Sequence, residues 1–150
     1  MSAAPAAPAS TTVPGSAEAN ALAAVDAIID NFRSHRKAAY FAGFAEDATF
    51  LFHTTPHRID GRAGYEALWT EWETNDGFRV HDATSTNRRI QVFGSTAVFS
   101  HDVETTLETN GDILTVNERE SIILERSDDA WLCVHEHLSI ASPDMIETEK

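Results

Sequence analysis

The chain has few of the residues that crosslink a small protein or give it positive charge. Of its 150 residues, Cys133 is the single cysteine, which excludes an intrachain disulfide framework and a zinc site of the CxxC type. Lysine and arginine number 11 against 24 aspartates and glutamates, so the formal net charge is −13. Because phosphates and anionic headgroups are bound by positive surfaces, this balance disfavours nucleic acid and a membrane as partners.

The composition along the chain predicts one folded domain between two unstructured ends. Residues 1–16 are rich in alanine, proline, serine and threonine and are predicted to be a disordered leader. They lack the cationic start and apolar stretch of a secretory signal, so a cytoplasmic location is expected by default. The domain is expected to span residues 17–141, and residues 142–150 to form a flexible acidic tail.

Three segments of the first half have the apolar spacing of helices. Ser16 is a candidate N-cap for the first, in which apolar residues recur at helical intervals up to Phe32. A short second piece runs from Lys37 to Gly43, and a third helix is predicted over Arg62 to Asn75. The third helix has one aromatic-rich face, formed by Tyr65, Leu68, Trp69 and Trp72.

The rest of the chain reads as strands. Ala48 to His53 alternates and forms a first strand, and four long strands follow from Phe78 onward. Asn110-Gly111 between two alternating runs is a strong hairpin signal. The four strands are predicted over Arg79–Phe93, Thr96–Leu107, Ile113–Glu125 and Trp131–Ile140.

Long strands combined with three helices predict the α+β class. We expect a cone in which a strongly curved antiparallel sheet wraps around the N-terminal helices. Such a cone leaves a cavity between the concave sheet and the aromatic helix face, and cavities of this kind are mostly apolar with a few polar groups.

Three stretches of the chain resemble a known group of proteins. FAEDATFLFH, IDGRAGYEALW and DDAWLCVHEHLS are similar to the SnoaL-like branch of the nuclear transport factor 2-like superfamily. The last stretch is also similar to the end of the association domain of calcium/calmodulin-dependent kinases. The resemblance covers roughly residues 18–141 and implies the cone-shaped fold. It does not imply one activity, because members include isomerases, cyclases, dehydratases, hydrolases and oligomerisation domains.

The resemblance also implies which side chains of the last strand face the cavity. In the association domains the position of Leu138 lines the pocket, so Glu136 is expected to face inward and His135 and His137 outward. Alternation in the neighbouring strands then gives an expected inward set of Ser100, Asp102, Glu104, Glu118, Glu120 and Ile122. Of these, Asp102 and Glu104 are candidate substrate-binding residues.

Glu136 and Glu120 are the candidate catalytic residues. Two carboxylates in a dry cavity cannot both ionise freely, so one of them retains a proton and the two form an acid–base pair. The alternative is a structural network in which Arg119, Arg89 or another base neutralises one glutamate. His53, at the end of the first strand, is a third candidate that could act as a base near neutral pH.

Aromatic side chains are the candidate contacts for a substrate. Tyr65 and Trp69 are expected to line the cavity, because aromatic bodies with polar tips suit a half-wet pocket. Tyr40 is a candidate for the tyrosine that the steroid-isomerase members use as an oxyanion donor, a role implied by the resemblance alone.

The outward histidines have two interpretations. His135 and His137 share one face and could bind a metal together with His101. The favoured interpretation is an outer sheet face covered by a second copy of the chain, with Trp131, Phe99 and Val103 on the same face. No metal and no cofactor are expected.

The working hypothesis is a small-molecule isomerase, lyase or hydrolase that needs no cofactor. Pocket carboxylates would perform acid–base chemistry on an apolar or aromatic substrate. The alternative is a non-catalytic ligand-binding or oligomerisation module, which would have a filled or very shallow cavity.

Overall fold

The structure, a computed structural model, describes residues 15–141 and contains three helices and six strands in that range. The predicted tail, and the predicted leader apart from its last two residues, lie outside the described residues. The helices are α1 (Ala17–Arg33), α2 (Lys37–Phe41) and α3 (Arg62–Asp76). The strands are β1 (Phe44–Phe52), β2 (Ile59–Asp60), β3 (Arg79–Phe93), β4 (Thr96–Thr109), β5 (Asp112–Ser127) and β6 (Ala130–Ile140).

The helix ends follow the expected capping chemistry. The Ser16 hydroxyl accepts a hydrogen bond from the Ala19 N–H at 3.1 Å, which satisfies one of the free donors of the first turn of α1. Gly77 ends α3 with a φ of 65°, a left-handed conformation that glycine adopts without steric cost. Both predicted helix ends are confirmed to within a residue.

The six strands form one sheet in the order β2-β1-β6-β5-β4-β3. All neighbours are antiparallel except β1 and β6, which run parallel. The Asn110-Gly111 turn joins β4 to β5 with Thr109 opposite Asp112, and this pairing continues without a shift to Thr96 opposite Glu125. The predicted α+β cone, with a curved sheet around N-terminal helices, is confirmed.

The centre of the core is aromatic. The Trp69 side chain is fully buried and donates its indole N–H to Glu73 at 3.0 Å. It lies in ring contact with residues of α1, α2 and the turn after α3, namely Phe32, Tyr40, Phe41 and Phe78. The core therefore joins the helices to one another and holds them inside the sheet.

A bulge divides β6 into two parts of opposite phase. Ile123 pairs with His135, but the next residue, Leu124, pairs with Cys133, so Val134 has no partner on β5. Trp131 and Cys133 are therefore buried on the inner side, although His135 lies on the outer side. The expectation that Trp131 shares the outer face with His135 and His137 is wrong, because simple alternation misses this extra residue.

Within residues 15–141, no helix combines the length and the apolarity that crossing a membrane requires.

We expect the Trp69→Ala substitution to lower the free energy of unfolding by about 3–5 kcal/mol, because it removes a fully buried ring and leaves a void. The matched variant Trp72→Ala, three residues along the same helix at a partly exposed position, should cost less. Urea denaturation of both variants measures the difference. Equal losses would contradict the central place of Trp69 in the core.

Candidate functional site

Glu136 and Glu120 come together on the concave side of the sheet. Glu136 pairs with Ile122 of β5, and Glu120 pairs with Leu138 of β6, so the two glutamates lie diagonally across neighbouring strands. The Glu120 carboxyl is close enough to the Glu136 carboxyl to raise its pKa, so the presence of Glu120 favours the protonated form of Glu136. Glu136 is only 2% exposed.

Burial sets the protonation of Glu136. Loss of hydration raises the pKa of the Glu136 carboxyl well above its ordinary range, and the neighbouring Glu120 carboxyl, through its charge and as an acceptor for the Glu136 proton, raises the pKa further. The neutral acid is therefore the stable form of Glu136. A carboxyl group that holds its proton in this way can deliver it to a ligand.

His101 holds the second carboxyl group in place. Its Nε2 lies 2.7 Å from Oε1 of Glu120, and its Nδ1 lies 2.6 Å from the Ser85 hydroxyl. The imidazole itself has no solvent exposure. Ser85, His101 and Glu120 thus form a continuous chain of hydrogen bonds from β3 to β5, and the chain ends beside Glu136 of β6.

The position of His101 differs from the one assumed for a metal site. It faces the cavity, opposite Glu120, and so lies on the other side of the sheet from His135 and His137. His135 is held by Thr49 instead, with its Nδ1 2.8 Å from the threonine hydroxyl. Across residues 15–141, no three histidine, cysteine, aspartate or glutamate side chains converge as metal ligands do.

His53 belongs to a second acid–base pair. Its Nε2 lies 2.5 Å from Oε2 of Glu118, a residue that strand alternation predicted to face inward but that was not a candidate for the site. Burial raises the pKa of the Glu118 carboxyl, and the hydrogen bond and charge of His53 lower it in part. Glu118 lines the cavity, and Thr54, next to His53, lines it too.

Two tyrosine hydroxyls complete the polar groups of the site. The Tyr40 and Tyr65 hydroxyl oxygens are 2.9 Å apart, and both residues line the cavity. Burial raises the pKa of both phenols well above the ordinary value, so both are neutral. One hydroxyl donates to the other, which leaves the second hydrogen available for another acceptor.

The cavity lies between the helices and the concave sheet and has a volume of about 280 Å³. Its walls are mostly apolar and aromatic, and its carboxyl groups come from Asp76, Glu118, Glu120 and Glu136. Among the described residues that line it, none is a lysine or an arginine. Arg119 pairs with Asp102 across β4 and β5, and the base that contacts Glu120 at 2.7 Å is His101. The apolar lining residues are Ile28, Ile29, Phe32, Phe52, Trp72, Phe78, Ala83, Val103, Leu107, Ile122 and Leu138.

Asp102 and Glu104 do not face the cavity, so their expected orientation is wrong. The strand alternates in the opposite phase: His101, Val103 and Thr105 line the cavity, and Asp102 and Glu104 lie on the outer face. Phe99 and Val103 face inward for the same reason, which removes them from the outer face. The register set by the Asn110-Gly111 turn determines the orientation of β4. It places His101 opposite Glu120 and Asp102 opposite Arg119.

The structure reverses the expected positions of the two tryptophans of α3 relative to the cavity. Trp69, the expected substrate contact, is buried in the core and does not line the cavity, whereas Trp72 does. Both lie on the apolar face of α3. Helical spacing identified that face correctly, but it could not tell which end of the face lies beneath α1 and α2 and which end borders the void.

Comparisons with known proteins identify the family. A model of the SnoaL-like domain matches residues 21–143 of the chain. No curated protein matches the chain.

Solved structures with similar folds belong to several kinds of protein. A ketosteroid isomerase-like protein from Erwinia carotovora atroseptica is 19% identical, with a TM-score of 0.69 over 83% of this chain and 96% of its own. The CamKII hub homology domain of Chlamydomonas reinhardtii is 22% identical, with a TM-score of 0.66 over 85% of this chain and 100% of its own. An NTF2-like protein from Cytophaga hutchinsonii is 12% identical, with a TM-score of 0.68 over 80% and 94%.

At these identities the solved structures share a fold with the chain, and they carry no activity over to it. The family match covers most of the folded region, from α1 to the end of β6. The chain belongs to the SnoaL-like domain family.

Proposed function

We propose that this protein binds a small molecule and acts on it as an isomerase, lyase or hydrolase that needs no cofactor. The observation that carries the proposal is the buried carboxyl pair of Glu120 and Glu136, which faces an aromatic cavity. Burying two carboxyl groups side by side lowers stability. A cavity that keeps them there is typical of a site that moves protons.

The surrounding groups divide the work between the two carboxyls. Glu136 retains the proton and serves as the acid, and Glu120, held by His101 at 2.7 Å, serves as the base. Tyr40 and Tyr65 supply a hydroxyl that can stabilise charge developing on a substrate oxygen. His53 assists through Glu118, which borders the same cavity.

The rival interpretation, a non-catalytic binding or oligomerisation module, predicts a filled or very shallow cavity. An open cavity of about 280 Å³ without an arginine among its described lining residues favours the binding of a small molecule. An apolar or aromatic substrate would fit the ring-lined walls.

The Glu136→Gln variant tests the acid–base role with small carbonyl compounds as probes. Small carbonyl compounds that stabilise the protein against heat would be incubated with it in D2O, and exchange of their carbon-bound hydrogens would be followed by NMR. We expect E136Q to lower the exchange rate by about 10²–10⁴-fold, the usual contribution of a general acid or base. Its affinity for the compound should change little.

Glu104→Gln is the matched control for this experiment, because Glu104 is an exposed glutamate on the outer face of the same sheet. It should exchange at the wild-type rate. Equal exchange by wild type and E136Q would show that Glu136 moves no proton. Binding without exchange by any of the proteins would favour the non-catalytic module.

The same substitution should change how stability depends on pH. Because burial holds the pKa of Glu136 above the value of about 4.3 for an exposed glutamate, the folded protein keeps a proton that the unfolded chain releases. The stability of the wild type therefore falls as pH rises through this interval.

We expect E136Q to escape this fall, so that its free energy of unfolding increases relative to wild type between about pH 5 and about pH 8. Urea titrations at both pH values measure the change, with E104Q again as the control. A difference between E136Q and wild type that is the same at both pH values would contradict the cost of ionising Glu136.

We further propose a homodimer formed through the outer face of β4, β5 and β6. This face carries a concavity of mainly small and polar side chains, which a second copy would cover; its residues include Asn87, Ser100, Asp102, Arg119, Ser121, His137 and Ser139. The hub homology domain with a similar fold supports assembly as a property of such folds. His135, held by Thr49, borders the same face.

The Ser121→Arg variant should dissociate this dimer, because it places a long charged side chain in the middle of the outer face, where Ser121 pairs with His137. Ala23→Arg adds the same side chain at an exposed position of α1 and should leave the dimer intact. Sedimentation velocity reports the mass of each protein. Dimers in both variants, or a monomeric wild type, would overturn the proposed interface.

A further inference from the structure

We propose that the cavity selects an organic cation, an ammonium or amidinium group on an apolar or aromatic body, and that its binding releases the proton shared by Glu120 and Glu136. This inference uses the site of the proposed function and names the class of its ligand. It concerns binding, so it can hold or fail whether or not the protein turns a substrate over.

The ionisable groups that face the cavity favour a positively charged ligand. Four carboxyl groups face the space, from Asp76, Glu118, Glu120 and Glu136, and no lysine or arginine does so among the described lining residues. In surroundings of low dielectric, a set of acidic groups with no lysine or arginine among them disfavours a ligand of negative charge. An anionic ligand is therefore excluded, and a cationic ligand is attracted.

The carboxyl pair of Glu120 and Glu136 offers a binding site for a positively charged group. Glu120 and Glu136 lie diagonally across β5 and β6 and face the same cavity, and burial favours the protonated form of Glu136, so the pair is expected to hold one proton when the cavity is empty. An ammonium group offers three N–H donors and a positive charge, so it can take over the role of that proton and bond to both carboxylates.

The aromatic walls of the cavity also favour a positively charged ligand. Phe52, Tyr65, Trp72 and Phe78 line the same cavity as the glutamates. The faces of aromatic rings attract cations, and this attraction strengthens when water is excluded. A volume of about 280 Å³ accommodates a single substituted ring with its charged group.

The other titratable groups around the pair are consistent with this selection. Tyr40 and Tyr65 from the helices and Cys133 from β6 are neutral, because burial raises the pKa of each. His101 contacts Glu120 from β4, and His53 contacts Glu118 from the end of β1. Each histidine is already engaged by a carboxyl group, so neither is left to pair with an anionic ligand.

A path for the released proton exists behind the site. Glu120 is bonded to His101, and His101 to Ser85. Ser85 borders a groove between α1 and β3 that is separate from the cavity and lined by charged residues, including Asp26 and Arg88. The binding step is balanced: one ammonium ion enters, one proton leaves along this chain to solvent, and two carboxylates remain around the bound cation.

The test compares three ring compounds of similar size that differ in charge: benzylammonium, benzyl alcohol and benzoate. Isothermal titration calorimetry with the full chain at about pH 7 should show the cation binding at least about tenfold more tightly than the alcohol, and benzoate not binding. Titration in phosphate and in Tris, which differ in ionisation enthalpy, should show proton release with the cation alone. Affinity for the cation should rise between about pH 6 and about pH 8.

Two variants test whether Glu136 is responsible for the proton release and the cation binding. Glu136→Gln should remove the proton release and weaken cation binding by about tenfold or more, while its affinity for benzyl alcohol stays the same. Glu104→Gln, on the outer face, should behave as wild type in all titrations. Melting temperatures of both variants show that they are folded.

The proposal is overturned if benzyl alcohol binds as tightly as benzylammonium, if benzoate binds more tightly than either, or if benzylammonium does not bind. These outcomes differ from a failure of the proposed enzyme. Cation binding with proton release, together with equal deuterium exchange by wild type and E136Q, would uphold the ligand class and reject the acid–base role.

Discussion

The pairing of β4 with β5 is the constraint on which the rest of the site depends. The Asn110-Gly111 turn joins these strands without a shift over their whole paired length. Since side chains alternate between faces, one turn therefore decides the orientation of every residue on both strands. It places His101 beside Glu120 on the inner face and Asp102 beside Arg119 on the outer face. A slip of one residue would exchange the two sets.

The inner face holds polar groups that are costly to bury, and the helices make this possible. Trp69 and the rings around it form a well-packed apolar centre between α1, α2 and α3. The stabilisation from that centre offsets the cost of burying the carboxyl pair. Hydrogen bonds reduce this cost: Glu120 is bonded to His101, and Glu118 is bonded to His53. No buried polar side-chain atom in residues 15–141 lacks a hydrogen-bond partner.

Much of the fold was predictable because its signals are local. Ser16, Gly77 and the Asn110-Gly111 turn each act within a few residues, and each is found in its expected role. The inward direction of Glu136 was also predictable, since it follows from the resemblance of the last strand. The orientation of β4 was predicted wrongly because alternation within a strand does not say which set of side chains faces inward, whereas the register from the turn does. The exchange of Trp69 and Trp72 had no local signal, because it depends on where the helix ends relative to a void.

The bulge at Val134 has a consequence for how the length of β6 can vary. Upstream of it, Trp131 and Cys133 anchor the strand in the core, and downstream of it Glu136 and Leu138 border the cavity. The two halves share a face only because one unpaired residue separates them. Loss of a single residue there would turn one half of the strand outward. Either Trp131 and Cys133 would leave the core, or Glu136 and Leu138 would leave the cavity. This part of β6 therefore tolerates no change in length, even though the turn that precedes the strand can accept insertions.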